Sequence, residues 1–195
     1  MICRSIQVQA VVNISPETPV PLLSHVRMAD TDLNLVLMSC PGARIAGGNR
    51  VSTQADLARD VRALEDRGVR MMITCPSDAE LALDMDAYAR AYTAAGIEWR
   101  RVGIPDMTPP TPRIDLDLLP TLAAARQIMA SGGAVAIHCM AGLGRTGTVA
   151  ARLVMGYGLT AADAIAFVRA AHSPAAIETR EQERYLHSAQ DNGRS

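Results

Sequence analysis

The stretch Ala134-Val-Ala-Ile-His-Cys-Met-Ala-Gly-Leu-Gly-Arg-Thr-Gly147 gathers the residue types that chemistry on phosphorus needs. A continuous apolar run reads as a buried strand, which enters a glycine-bearing loop and then a helix. The amides of such a loop and the first unpaired N–H groups of the helix converge on one point and form an anion site. Gly142, Gly144 and Gly147 allow the curvature and close approach that a cradle requires. Cys139 opens the loop, where positive potential favours the thiolate. Met140, Ala141, Gly142, Leu143 and Gly144 line the cradle, and Arg145 closes it with a planar fork for two phosphoryl oxygens. Thr146 can hydrogen-bond the sulfur and make it a better leaving group, while His138 braces the loop through backbone carbonyls. A buried, inert cysteine is the bland alternative, and it leaves the glycines and Arg145 unexplained.

The spacing His138-Cys139-x5-Arg145-Thr146 resembles the signature of the cysteine-based protein phosphatases, HCx5R(S/T). Transfer of a phosphoryl group to a thiolate releases an alkoxide or phenoxide that needs a proton, so an acid on a separate loop is expected. In that family the acid follows a proline on such a loop. Ile104-Pro105-Asp106, 33 residues before Cys139 and ahead of a proline-rich segment, fits that place and makes Asp106 the candidate. Proline on both sides limits the conformations the loop must give up to position the acid. Asp115 and Asp117 are alternatives, although they read as the first turn of a helix.

The resemblance extends over residues 33 to 190. Ala175-Ala-Ile-Glu-Thr179-x-x-Gln182-x-x-Tyr185-Leu-His187 is similar to the C-terminal segment of the cyclin-dependent-kinase-associated phosphatases and of small atypical dual-specificity enzymes of the VHZ type. Upstream, Cys40-Pro-Gly42 and Thr74-Cys75-x4-Glu80-Leu81 fit the kinase-associated pattern. The likeness implies that Thr179 and Gln182 stand beside the phosphate loop and help place water or substrate. There are two departures. Relatives carry Arg-Pro-Gly where this chain has His172-Ser-Pro-Ala175, and the loop interior lacks the added basic residues of phosphoinositide phosphatases. The second points to a singly phosphorylated target. No tyrosine-bearing loop deepens the pocket, which favours phosphoserine or phosphothreonine beside phosphotyrosine.

Elements of alternating type must hold these residues. Strands are expected at Leu33 to Met38, Val69 to Thr74, Ile97 to Val102 and Ala134 to His138. Thr53 with Asp56 caps a helix that Gly68 closes, and Ser77 with Glu80 forms a capping box that opens a helical stretch to about Ala95. Thr108 to Pro112 is too proline-rich for helix or central strand. Helices follow from Asp115 to about Ser131, Thr146 to Tyr157, Thr160 to Ala171 and about Thr179 to Gln190. Such alternation predicts an α/β fold, a central mostly parallel sheet flanked by helices. The resemblance makes it the protein tyrosine phosphatase-like, dual-specificity fold. Residues 33–190 form the expected domain, with an N-terminal extension at 1–32 packing on or near it and a tail at 191–195.

Composition narrows the function. The 195 residues are 49% hydrophobic and 20% charged, which suits one well-filled domain. Nineteen basic groups meet twenty acidic ones for a net charge of −1, so no nucleic-acid or membrane partner is expected. Every basic residue is arginine, which excludes Schiff-base and P-loop lysine chemistry and carries the stamp of a GC-rich, bacterial genome. No apolar run reaches the roughly 18 residues of a membrane span, and the start is a poor signal peptide. The four cysteines show no paired spacing, so a reducing cytoplasm is expected. No metal and no cofactor is expected, because His25, His172 and His187 have no ligand partners. Cys75 ends a strand beside the one that delivers Cys139, where a reversible disulfide would shield the thiolate; an inert cysteine is the alternative. The expected activity is metal-independent hydrolysis of phosphate monoesters on proteins through a cysteinyl-phosphate. A small phosphate ester (nucleotide, sugar or inositol phosphate) or a phosphate-binding pseudophosphatase stands as the alternative.

Overall fold

The computed structural model describes residues 23–46, 49–81 and 83–192. Most of the expected N-terminal extension and the last three residues of the expected tail lie outside them. Five strands form one sheet in the order β1-β2-β7-β5-β6. These are β1 (Leu23–Arg27), β2 (Asn34–Met38), β5 (Val69–Thr74), β6 (Glu98–Arg101) and β7 (Ala134–His138). Only β1 runs antiparallel to its neighbour, so the expected mostly parallel sheet is present. A small hairpin, β3 (Ala43–Ala46) with β4 (Asn49–Ser52), stands apart from it.

The sheet is buried on both faces, as parallel sheets are. All five residues of β7 are fully buried. Successive side chains point to opposite faces. Leu35, Leu37, Met71, Ile73, Val135 and Ile137 therefore pack against α3 (Pro112–Ala130), α4 (Gly144–Met155), α5 (Ala161–Ala171) and α6 (Arg180–Asn192). Val36, Met38, Met72 and Ala136 pack against α1 (Gln54–Glu65) and α2 (Met85–Ala94). The Thr53 cap is formed, its Oγ1 accepting from the Asp56 N–H at 3.0 Å, and Leu57, Val61 and Leu64 turn inward.

Several elements depart from expectation. Strand β1 and the β3–β4 hairpin had no counterpart in the sequence reading. The Ser77–Glu80 box is present but yields one 3-10 turn, Asp78–Glu80. Leu81 is extended, and α2 starts on its own cap, Asp84, whose carboxylate accepts from the Ala87 N–H at 2.7 Å. Helix α3 opens at Pro112, three residues before the expected start. Proline is tolerated at that first position because its missing N–H would be unpaired there anyway, and Thr111 caps it.

Candidate active site

Strand β7 is central, so its C-terminal end delivers Cys139 to the middle of one sheet edge. There α4 begins, and its first turn faces the same point. Cys139 is 3% exposed, and the Gly142 N–H donates to its sulfur at 3.2 Å. Gly142 has φ +83°, and a Cβ there would lie 2.7 Å from the Met38 carbonyl carbon. Only glycine lets the loop turn against β2 so closely. The Cys40 N–H donates to the Met140 carbonyl at 3.2 Å, which ties the loop to the end of β2.

Arg145 is buried, and its guanidinium is held from three sides. Nη1 donates to Glu80 Oε1 at 2.8 Å and to the Ile104 carbonyl at 3.0 Å. Nη2 pairs with Asp106 Oδ1 at 2.8 Å, with the Asp106 side chain 69% exposed. Burial works against the guanidinium's charge, but Glu80, Cys139 and Asp106 outweigh it and hold the proton more firmly than usual. Burial likewise pushes the Glu80 carboxyl up; hydrogen bonds from Arg145 and Ser77 prevail and leave it below its usual range. Glu80 was expected as a capping residue and as part of the Thr74-Cys75-x4-Glu80-Leu81 pattern, with no role in the site. Its reach to Arg145, 65 positions along, is a tertiary contact with no local signal.

His138 is fully buried, with Nδ1 3.1 Å from the Cys139 carbonyl and Nε2 2.8 Å from Thr74 Oγ1. A carbonyl only accepts, so Nδ1 carries the hydrogen and the Thr74 hydroxyl donates to Nε2. The Trp99 indole N–H donates in turn to Thr74 Oγ1 at 2.8 Å. His138 thus braces the loop through a carbonyl as expected, within a relay that starts on β6. Burial holds it neutral and lowers its pKa to about 4. The unfolded chain therefore binds more protons between about pH 4 and 6.5, and stability falls as pH drops through that window. From about pH 7 to about pH 5 the expected loss is about 2 kcal/mol. Urea unfolding at the two pH values checks it, and His138→Asn should remove that part of the pH dependence.

Other candidates are placed differently from expectation. Thr146 is buried and its Oγ1 has no hydrogen-bond partner among the described residues, so the expected bond to the sulfur is not formed here. Thr179 and Gln182 cap α6 reciprocally, at 3.1 and 3.2 Å, and Gln182 Nε2 reaches the Thr108 carbonyl of the Asp106 loop at 3.4 Å. Gln182 Nε2 also lies beside the cysteine loop, 3.2 Å from where a Cβ on Gly144 would stand. Asp115 accepts from the Tyr185 hydroxyl at 2.7 Å, away from the cysteine loop. Cys75 is fully buried, and its N–H donates to the His138 carbonyl at 3.0 Å. Burial, with Cys139 adding to it, pushes its thiol well up despite Arg145. Ile177 carries φ +63°, a costly conformation for a β-branched residue. Arg169 holds that bend by donating to the Ala176 and Ile177 carbonyls, both at 3.0 Å.

The resulting cleft has a volume of about 300 Å³ and is lined by Glu80, Asp106, Met107, Cys139, Met140, Ala141, Arg145 and Glu178. None of these is aromatic, and Arg145 is the one base among them. A larger cleft of about 600 Å³ lies at the opposite end of the sheet, between Arg27–Asn34 and Met129–Gly133, and its lining includes no cysteine. Among the described residues no cluster could hold a metal, and no helix is long and apolar enough to cross a membrane.

Comparison with known proteins gives the same address. The family model described as Tc-R-P, polymorphic toxin system, DSP-PTPase phosphatase matches residues 46–158. The tyrosine-protein phosphatase CDC14 of Saccharomyces cerevisiae is 40% identical over 67 residues, 34% of this chain and 12% of that protein. The chain thus spans a small part of this curated relative. Among solved structures, Tk-PTP in its active form has a TM-score of 0.64 at 26% identity, covering 89% of this chain and 97% of that one. A kinase-associated phosphatase with its catalytic-site cysteine substituted by serine has a TM-score of 0.67 at 24% identity, covering 82% and 86%. At that identity the second likeness speaks for the fold alone.

Proposed function

The chain belongs to the DSP-PTPase phosphatase family of polymorphic toxin systems, and we propose that it hydrolyses phosphate monoesters through a cysteinyl-phosphate on Cys139. One observation carries this reading: the Cys139 sulfur under the Gly142 N–H shares a cleft with an Arg145 fork that holds Asp106. A bound phosphoryl group takes that fork and the amides of residues 140–145, displacing the Asp106 side chain, which takes up a proton from solvent as it leaves the guanidinium, toward the leaving oxygen. The sulfur forms the S–P bond, the ester P–O bond breaks, and Asp106 gives its proton to the departing oxygen. Water then attacks phosphorus, returns a proton to Asp106 and breaks the S–P bond. The unpartnered Thr146 hydroxyl is the donor that eases the sulfur's departure.

The substrate class we infer is protein phosphotyrosine together with phosphoserine and phosphothreonine. The small cleft without an aromatic wall supports both, and its single arginine among three carboxylates disfavours multiply phosphorylated ligands. A nucleophilic thiol also needs a reducing compartment, for which the cytoplasm is our assignment.

Turnover of para-nitrophenyl phosphate with EDTA present tests the activity. Asp106→Asn is expected to lower kcat by about 10²–10³-fold. The loss should be larger for phenyl phosphate, whose leaving group needs the proton more. A wild type that binds phosphate and turns over neither ester would instead be a phosphate-binding module.

Cys75 supports a second role in the same site. Thr74 and His138 pair in register on adjacent strands, and such strands lie about 4.8 Å apart, inside the roughly 4.4–6.8 Å Cα window of a disulfide. Peroxide converts the Cys139 thiolate to a sulfenic acid, and the Cys75 sulfur then displaces its hydroxyl as water. Non-reducing mass spectrometry after mild peroxide is expected to find a Cys75–Cys139 linked peptide. Its absence, with Cys139 oxidised further instead, would return Cys75 to a purely structural place.

A further inference from the structure

His172 stands in none of the roles above, yet it touches the cysteine loop directly. It terminates α5, its N–H donating to the Val168 carbonyl at 2.9 Å, and it is 9% exposed. Its Nε2 lies 2.6 Å from the Gly142 carbonyl, and its Nδ1 lies 2.9 Å from Ser24 Oγ. The carbonyl can only accept, so Nε2 bears the hydrogen, and in the neutral ring Nδ1 accepts from the Ser24 hydroxyl. Ser24 is itself buried on β1. The ring is therefore locked at both nitrogens between the edge strand and the apex of the loop.

That apex peptide is the one whose orientation matters. In a trans peptide the N–H points opposite to the C=O of the preceding residue. A Gly142 carbonyl held toward His172, on the outside of the loop, aims the Leu143 N–H back across it. The Gly142 N–H already points at the sulfur. Among the described residues no acceptor receives the N–H groups of Leu143, Gly144 or Arg145, which leaves them for an oxyanion at the start of α4. Among the described residues no group other than His172 donates to the Gly142 carbonyl, so without it that carbonyl loses its anchor.

We propose that His172 is a positioning residue for the phosphate cradle: its Nε2–H fixes the Gly142 peptide and so aims the Leu143 amide at the bound phosphoryl group. The inference rests on the phosphatase reading for its meaning, but it is tested on phosphate binding alone. The site binds less phosphate when the carbonyl is released, whatever happens to the rest of the fold.

Three variants separate this from mere space filling. Glutamine places its amide nitrogen near the position of Nε2, whereas asparagine reaches only that of Nδ1, and leucine offers neither. Binding of inorganic phosphate by calorimetry is the readout, with thermal unfolding alongside and para-nitrophenyl phosphate kinetics as a second measure. His172→Asn and His172→Leu are expected to weaken phosphate binding about tenfold and raise KM in step, the size of one lost hydrogen bond. His172→Gln should recover most of the affinity. Should leucine fail to fold, the glutamine–asparagine pair still decides. Phosphate affinity that is unchanged in asparagine and leucine, or equal in asparagine and glutamine while only unfolding temperature shifts, would overturn the proposal. A wild type that binds phosphate but is silent toward the ester removes the phosphatase reading and leaves this comparison valid.

Discussion

Replacing Cys139 by serine is expected to abolish measurable turnover, a loss of at least about 10⁴-fold, while inorganic phosphate still binds. The loop amides lie close enough to the sulfur to stabilise a thiolate, as the 3.2 Å contact from the Gly142 N–H indicates. A serine hydroxyl gives up its proton far less readily, and the Glu80 and Asp106 carboxylates are paired to Arg145. The cradle itself does not depend on the sulfur. Gly142 is wedged against the β2 backbone, Met140 is tied to Cys40, and the new Oγ can accept the same Gly142 N–H. Phosphate affinity within about threefold of wild type is therefore expected. Activity retained to within tenfold would remove Cys139 from the reaction.

The second large effect is expected at Arg145, where even lysine should cost about 10³-fold or more in kcat/KM. The arginine does three things at once that one ammonium group cannot. Its fork faces the transferring oxygens, its Nη1 ties the Glu80 turn to the Ile104 carbonyl, and its Nη2 holds the Asp106 loop. A lysine supplies the charge without the plane. It also leaves Glu80 Oε1 without its guanidinium partner, with only Oε2 still held by Ser77. Both KM and kcat should suffer, since binding and positioning of the acid pass through the same side chain. A lysine variant with a raised KM and an intact kcat would reduce Arg145 to a uniform binding contact.

Much of this site was legible because its parts are local. The buried run of β7, the glycine-bearing loop and the start of α4 are contiguous, so Cys139, the cradle and Arg145 are fixed by a few residues of sequence. The Thr53 cap and the face of Leu57, Val61 and Leu64 are equally local. What stayed hidden is tertiary. Glu80 announces a capping box, and nothing near it says that its carboxylate will meet Arg145. The same box invites a long helix, whereas Leu81 is already extended and Asp84 supplies a separate cap. Strand β1 buries polar Ser24 beside Val26, so its inward face shows no apolar alternation, and its pairing with β2 is what brings Ser24 to His172. Thr179 and Gln182 are marked by position, and the tertiary bond from Gln182 to the Thr108 carbonyl has no local signal. Pro112 excludes helix by composition alone, but at the first helical position it costs no hydrogen bond.

The most direct test is to mix enzyme with a phosphate monoester, quench in acid within the first turnover and locate the phosphoryl group by peptide mass spectrometry. The account predicts one phosphoryl group on the peptide that carries Cys139, formed in step with release of the alcohol and absent from Cys139→Ser. Turnover with no labelled peptide, or with the phosphoryl group on another residue, would contradict it.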